Sequence, residues 1–117
     1  MKRKMQTKRT KKNSWMLSTM ADADWPFDQP RNCATFTLRS IVFDGAPILY
    51  VSHDADDHGW QFLDGKPIDM ANAALVGLGE IVRHDPSVLE LADMPPGWSA
   101  TRETKECPWR RMPPDGG

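Results

Sequence analysis

Apolar residues recur at two periods along this chain, and the places where the period changes mark out its elements. Ala34 to Arg39 alternates, with Ala34, Phe36 and Leu38 on one face and Thr35, Thr37 and Arg39 on the other, the pattern of a half-buried strand. Ser40 to Phe43 fits either a continuation of that strand or one helical turn, and Asp44-Gly45 closes it. Ile48 to Val51 is an apolar and aromatic run behind Pro47, which reads as a second strand. Gly59 to Leu63 reads as a third, with Trp60 and Phe62 on one face. Asp54, Asp56, Asp57 and Gly59 supply turn chemistry between these two runs. They predict an antiparallel hairpin with an acidic loop.

Asp64-Gly-Lys-Pro67 is a further turn, Ile68 to Ala73 reads as loop, and Ala74 to Val76 as a short strand. Leu78, Ile81 and Val82 then fall at helical spacing, which predicts a short amphipathic helix from about Leu78 to His84. Asp85 can cap the following helix, and Pro86 suits its first position because no N–H is needed there. Met94-Pro-Pro-Gly97 stops that helix. Trp98, Ala100 and Arg102 alternate with Ser99, Thr101 and Glu103 in a last strand. Cys107-Pro-Trp109 is expected to tuck back on the core, and Met112 to Gly117 to fray. At the other end, Pro26 and Pro30 hold Asp24 to Pro30 extended, with Trp25 and Phe27 packed on the sheet. The predicted fold is α+β, a small antiparallel sheet of about four to five strands covered on one face by two short helices.

Charge divides the chain. Seven of its fifteen basic residues lie between Lys2 and Lys12, and no acidic residue precedes Asp22. From Asp22 onward eight Lys and Arg face sixteen Asp and Glu, an excess of eight negative charges. The expected organisation is a basic disordered tail over residues 1–20, one acidic domain over 21–111, and a frayed end over 112–117. At 117 residues there is room for a single modest core. The tail has no apolar run of signal-peptide length, and no stretch approaches the roughly 20 apolar residues of a membrane span. A cytoplasmic protein is expected, with no membrane contact. Met20, where the composition changes, could itself be a start; the residues before it are then either an extension or an arm contacting nucleic acid or a membrane surface. Cys33 and Cys107 have no metal-ligand spacing and are expected to be reduced.

Several side chains invite a chemical reading. Asp54-Ala-Asp56-Asp57-His58-Gly59 begins like a calcium loop, but His58 stands at its fifth position and Gly65 where the bidentate Glu belongs. His53 and His58 with Asp54 and Asp57 form the alternative metal set, the basis of a small metal-dependent or ligand-binding enzyme, though without a spacing typical of zinc. The simpler expectation is a solvated loop, no cofactor and no enzyme: nothing near Cys33, Cys107 or Ser52 forms a nucleophile signature. The five tryptophans are first of all core material. Burying one ring is worth at most about 4 to 6 kcal/mol, against about 5 to 15 kcal/mol for a whole small domain.

Four segments together carry a resemblance: Asp57-His-Gly-Trp-Gln-Phe-Leu-Asp-Gly65, Leu78-Gly-Glu-Ile81, Asp85-Pro-Ser-Val-Leu-Glu-Leu91 and Pro96-Gly-Trp-Ser-Ala-Thr-Arg102. In combination they resemble a small bacterial family classified among the immunity proteins of polymorphic toxin systems, the thirty-third of that series. The resemblance covers Cys33 to Arg102. Asp24-Trp-Pro-Phe and Cys107-Pro-Trp-Arg-Arg lie outside the common core, which points to a subgroup. What the resemblance implies is a protein-binding module that neutralises a partner toxin. The contact residues expected here are Asp54, Asp56 and Asp57, with Trp60 and Trp98 beside them.

Overall fold

The computed structural model describes residues 24–114, which form one six-stranded sheet and a few short helices. The chain runs through β1 (Ala34–Leu38), α1 (Arg39–Asp44), β2 (Tyr50–His53) and β3 (Trp60–Leu63). A 3-10 turn (Met70–Asn72) leads into β4 (Ala73–Gly77), followed by α2 (Leu78–His84) and a 3-10 helix (Pro86–Leu91). β5 (Ser99–Thr101) and β6 (Arg110–Met112) complete it. The fold class is the expected α+β arrangement, with helices on one face of a small sheet.

The strand order is β4-β1-β3-β2-β5-β6. Each neighbouring pair is antiparallel except β1 and β3, which run parallel with Phe36 opposite Gln61. The sheet is therefore mixed, and larger than the four to five antiparallel strands expected. The reason lies in Ser40 to Phe43: they form α1, which carries the chain over the sheet so that β3 can slip between β1 and β2. Gly45, at a φ of 77°, ends α1 in the left-handed conformation a side chain resists.

Directly paired residues share a face, so the register defines two rows across the sheet. The core row carries Thr35 and Thr37, Trp60 and Phe62, Val51 and His53, and Ala100. Against it pack Ile41 of α1, Leu78, Ile81 and Val82 of α2, and Val88 and Leu91 of the 3-10 helix. The outer row runs from Leu75 through Phe36, Gln61, Ser52 and Ser99 to Met112. Leu75 is 72% exposed there.

β1 turns its threonines inward, and Ala34, at the start of the apolar face, is exposed. Each buried hydroxyl is satisfied: Thr35 Oγ1 donates to the Val76 carbonyl (2.9 Å) and Thr37 Oγ1 to that of Phe62 (2.8 Å). A threonine that bonds its neighbouring strand can stand in a core at little cost.

The C-terminal segment is docked by a buried ion pair. Arg102, at the end of β5, pairs through Nη2 with Asp85, whose other oxygen accepts from the Ser87 N–H and hydroxyl and so caps the 3-10 helix. Arg102 Nε donates to the Ile48 carbonyl, Nη1 donates to Ser87 Oγ and the Lys105 carbonyl, and the Trp109 ring lies 4.0 Å from its guanidinium carbon. Trp109 thus returns to the core as expected. Met112, expected to fray, pairs with Ser99 instead; positions 115–117 of the end expected to fray, and the tail expected over residues 1–20, lie outside the described residues.

Candidate functional site

The β2–β3 loop is built by its own aspartates. Asp54 N–H donates to the Gly59 carbonyl (2.8 Å) and His58 N–H to the Asp54 carbonyl (3.1 Å), which closes the hairpin. Inside that ring Asp54 Oδ1 accepts from the Asp56 N–H (2.7 Å), and Asp57 Oδ1 from the Gly59 N–H (2.8 Å). These are Asx turns, for which a short carboxylate or amide side chain is needed. They bring His58 to a φ of 60°, a left-handed position costly for a residue with a Cβ.

Below the loop stands Trp60, 2% exposed, with its indole stacked on His53 at 4.0 Å and met edge-on by Phe27 at 5.2 Å. Gln29 ties these parts together. Its Oε1 accepts from Trp60 Nε1 (3.0 Å), its Nε2 donates to the His58 carbonyl (3.3 Å), and its backbone carbonyl accepts from Trp25 Nε1 (2.7 Å). Sequence reasoning gave Gln29 no role. A single polar residue in an extended segment has no periodicity to betray it; only an indole N–H in need of a buried acceptor hints at such a partner.

The expected contact residues separate by depth. Asp56 and Asp57 are exposed and Asp54 is half-exposed, so the three carboxylates form an outward acidic edge. Trp60 is no surface anchor; it supports the loop from beneath. Trp98 is half-buried against the core, and its carbonyl accepts from the His53 N–H (3.0 Å). Where the loop meets the open face of the sheet there is a shallow depression of about 180 Å³. Asp54, Asp57 and Gly59 border it on one side, and Phe36, Gln61 and Leu75 on the other.

The alternative metal set does not assemble. His53 is buried, and its Nδ1 lies 2.7 Å from the Met94 carbonyl, so that nitrogen carries the proton; its Nε2 is buried without a partner. His58 is exposed on the loop, and Asp54 and Asp57 each give one oxygen, Oδ1, to a loop N–H. Among the described residues no group of three or more His, Cys, Asp or Glu is placed to hold a metal ion. Cys33 and Cys107 are both free and half-buried. No described helix is long and apolar enough to cross a membrane.

The chain matches no known family model, no curated protein and no solved structure.

Proposed function

We propose that this chain is a cytoplasmic protein-binding module of the immunity type, which docks the acidic β2–β3 edge on a basic surface of a partner toxin. The observation that carries the reading is that Asp54 and Asp57 line the same depression as exposed Leu75 and half-buried Phe36. An apolar centre with a charged rim is the usual anatomy of a protein interface. The charge balance supports a basic partner. Arg83, Arg102 and Arg111 are each paired with a carboxylate, while Asp56 and Asp57 face water with no cation beside them among the described ion pairs. Opposite charge across an interface speeds encounter and selects the partner. The resemblance of Cys33 to Arg102 to immunity proteins supplies the class of partner.

The test is co-expression with the product of the neighbouring gene. Growth should be arrested by that product alone and restored by this chain. The triple variant Asp54→Asn, Asp56→Asn, Asp57→Asn keeps the Asx bonds, because an amide oxygen accepts as a carboxylate does, and removes only charge. It should slow association by about tenfold or more at low salt, with a smaller effect at high salt. Full protection and an unchanged association rate in the triple variant would refute the reading.

A further inference from the structure

We infer that β4 is a homodimerisation strand, pairing antiparallel with the β4 of a second copy about a twofold axis at Leu75. The strand lies at one edge of the sheet, with β1 on its inner side only. Leu78 N–H donates to the Cys33 carbonyl (2.9 Å), which fixes the alternation of the β1–β4 ladder. Thr35 with Val76 and Thr37 with Ala74 are then the pairs that exchange bonds, and the backbone groups of Ala73, Leu75 and Gly77 point away from β1. Two of those outward groups are already used. Ala73 N–H donates to the Met70 carbonyl, and the Gly77 carbonyl, at the N-cap of α2, accepts the first bond of that helix.

Among the described residues, what remains without a partner is the Ala73 carbonyl, both groups of Leu75 and the Gly77 N–H. This set is self-complementary. With Leu75 opposite Leu75 in the second copy, each Leu75 N–H meets the other Leu75 carbonyl, and each Gly77 N–H meets the other Ala73 carbonyl. Every free donor finds a free acceptor and none is left over, a match that an unrelated strand would have to reach by chance. Small residues flank the centre, and Leu75 would lie beside its own copy on the outer face, next to Phe36.

The two edges of the sheet are treated differently. β6 is three residues long and carries Arg110 and Arg111, the kind of charged, short edge that blocks further pairing. β4 has five residues, Ala-Ala-Leu-Val-Gly, with no charge and no proline. A β4-to-β6 contact would propagate into a fibre, whereas β4-to-β4 pairing closes after two copies.

Light scattering and amide hydrogen exchange on the full chain test this. A contact made by one short strand on each side is small and therefore weak, so the measurement is made at about 200 μM. The wild type should show twice the monomer mass of 13.2 kDa and Leu75→Lys the monomer mass, with the same circular dichroism spectrum. In the dimer the Leu75 and Gly77 amides should exchange at least about tenfold more slowly than in dilute monomer, while Ala74 and Val76, bonded to β1, are slow in both. The triple Asn variant of the acidic loop should still dimerise, which separates this proposal from the binding function. A monomeric wild type at that concentration overturns the inference. So does a dimer that survives Leu75→Lys, or one in which the Leu75 and Gly77 amides gain no protection; that last result would assign the contact to the open face rather than the strand edge.

Discussion

Arg102 directs Nε, Nη1 and Nη2 at fixed partners while being only 7% exposed, and Asp85, its counter-charge, is 6% exposed. A buried ion pair contributes little beyond what an apolar pair of the same shape would, because both ions lose their hydration. Removing one partner is a different matter. Arg102→Ala leaves the Asp85 carboxylate buried with no cation, and should cost about 3 to 5 kcal/mol. Asp85→Ala should cost a similar amount, and the double variant less than the sum of the two, since neither charge is then stranded. Arg102→Lys keeps the charge but not the planar fork that reaches Ser87, Ile48 and Asp85 together, so it should fall between wild type and Arg102→Ala. Urea unfolding of the four proteins of the cycle gives the coupling directly. Additive losses would mean that the pair holds nothing in common.

At the scale of elements, β6 is the strand most dependent on charge. Arg111 donates to Asp93 Oδ1 (2.7 Å) and to the Glu90 carbonyl (2.8 Å), which ties β6 to the last turn of the 3-10 helix and the chain just after it. The hydrogen bond and the positive charge of Arg111 hold the Asp93 carboxyl below its ordinary value of 3.8. A pKa lowered by folding means a contribution fully present above 3.8 and lost as the pH falls through the lowered value. Acid should therefore loosen β6 before it unfolds the sheet. Exchange of the β5–β6 amides should lose protection in that window in the wild type. In Arg111→Gln they should already be poorly protected at neutral pH, with no further loss that tracks Asp93. The pair is exposed, so the effect is confined to the strand.

The same scale shows what could be read from the residues alone. The β2–β3 hairpin, α2 and the Asp85-Pro86 cap follow from patterns a few residues long; α2 and the cap stand where the sequence places them, and the hairpin's first strand runs two residues later, over Tyr50–His53 instead of Ile48 to Val51. β6 is Arg-Arg-Met, with no apolar alternation, and exists because Trp109 is held on Arg102 and Arg111 on Asp93. The parallel β1–β3 contact depends on where a crossover lands, which no local pattern encodes. Alternation located β1 but not its inward face, because hydrophobicity ranks threonine below alanine and takes no account of carbonyls waiting in β3 and β4. In the candidate site, the acidic edge was legible because aspartates make turns. The burial of Trp60 was legible too, as core material on the alternating face of β3; Gln29 was not, because its role comes from long-range partners.

For the whole molecule, the decisive question is whether the C-terminal segment is an appendage or part of the cooperative unit. Judged by exposure alone it looks detachable: Glu103 to Lys105 and Arg110 to Met112 all face solvent. Trp109 argues otherwise. Its ring covers the Arg102 guanidinium and its Nε1 donates to Ser87 Oγ (3.3 Å), the same hydroxyl that serves Asp85 and Arg102. Deleting the chain after Glu106 removes that cover, opens the ion pair to water and leaves β5 as a three-residue edge with Ser99 and Thr101 unpaired on their outer side. Lost stacking and partial loss of aromatic burial amount to about 2 to 3 kcal/mol. For a domain of this size that should lower the melting temperature by about 10 to 20 °C. Trp109→Ala in the full-length chain should reproduce most of the loss, whereas Arg110→Ala, which alters the exposed next residue at the start of β6, should shift it little. Thermal unfolding followed by far-ultraviolet circular dichroism and by tryptophan fluorescence should give one coincident transition in the intact chain. An early fluorescence step in the intact chain, or a truncated protein melting within a few degrees of it, would show that the segment rides on the fold without helping to hold it.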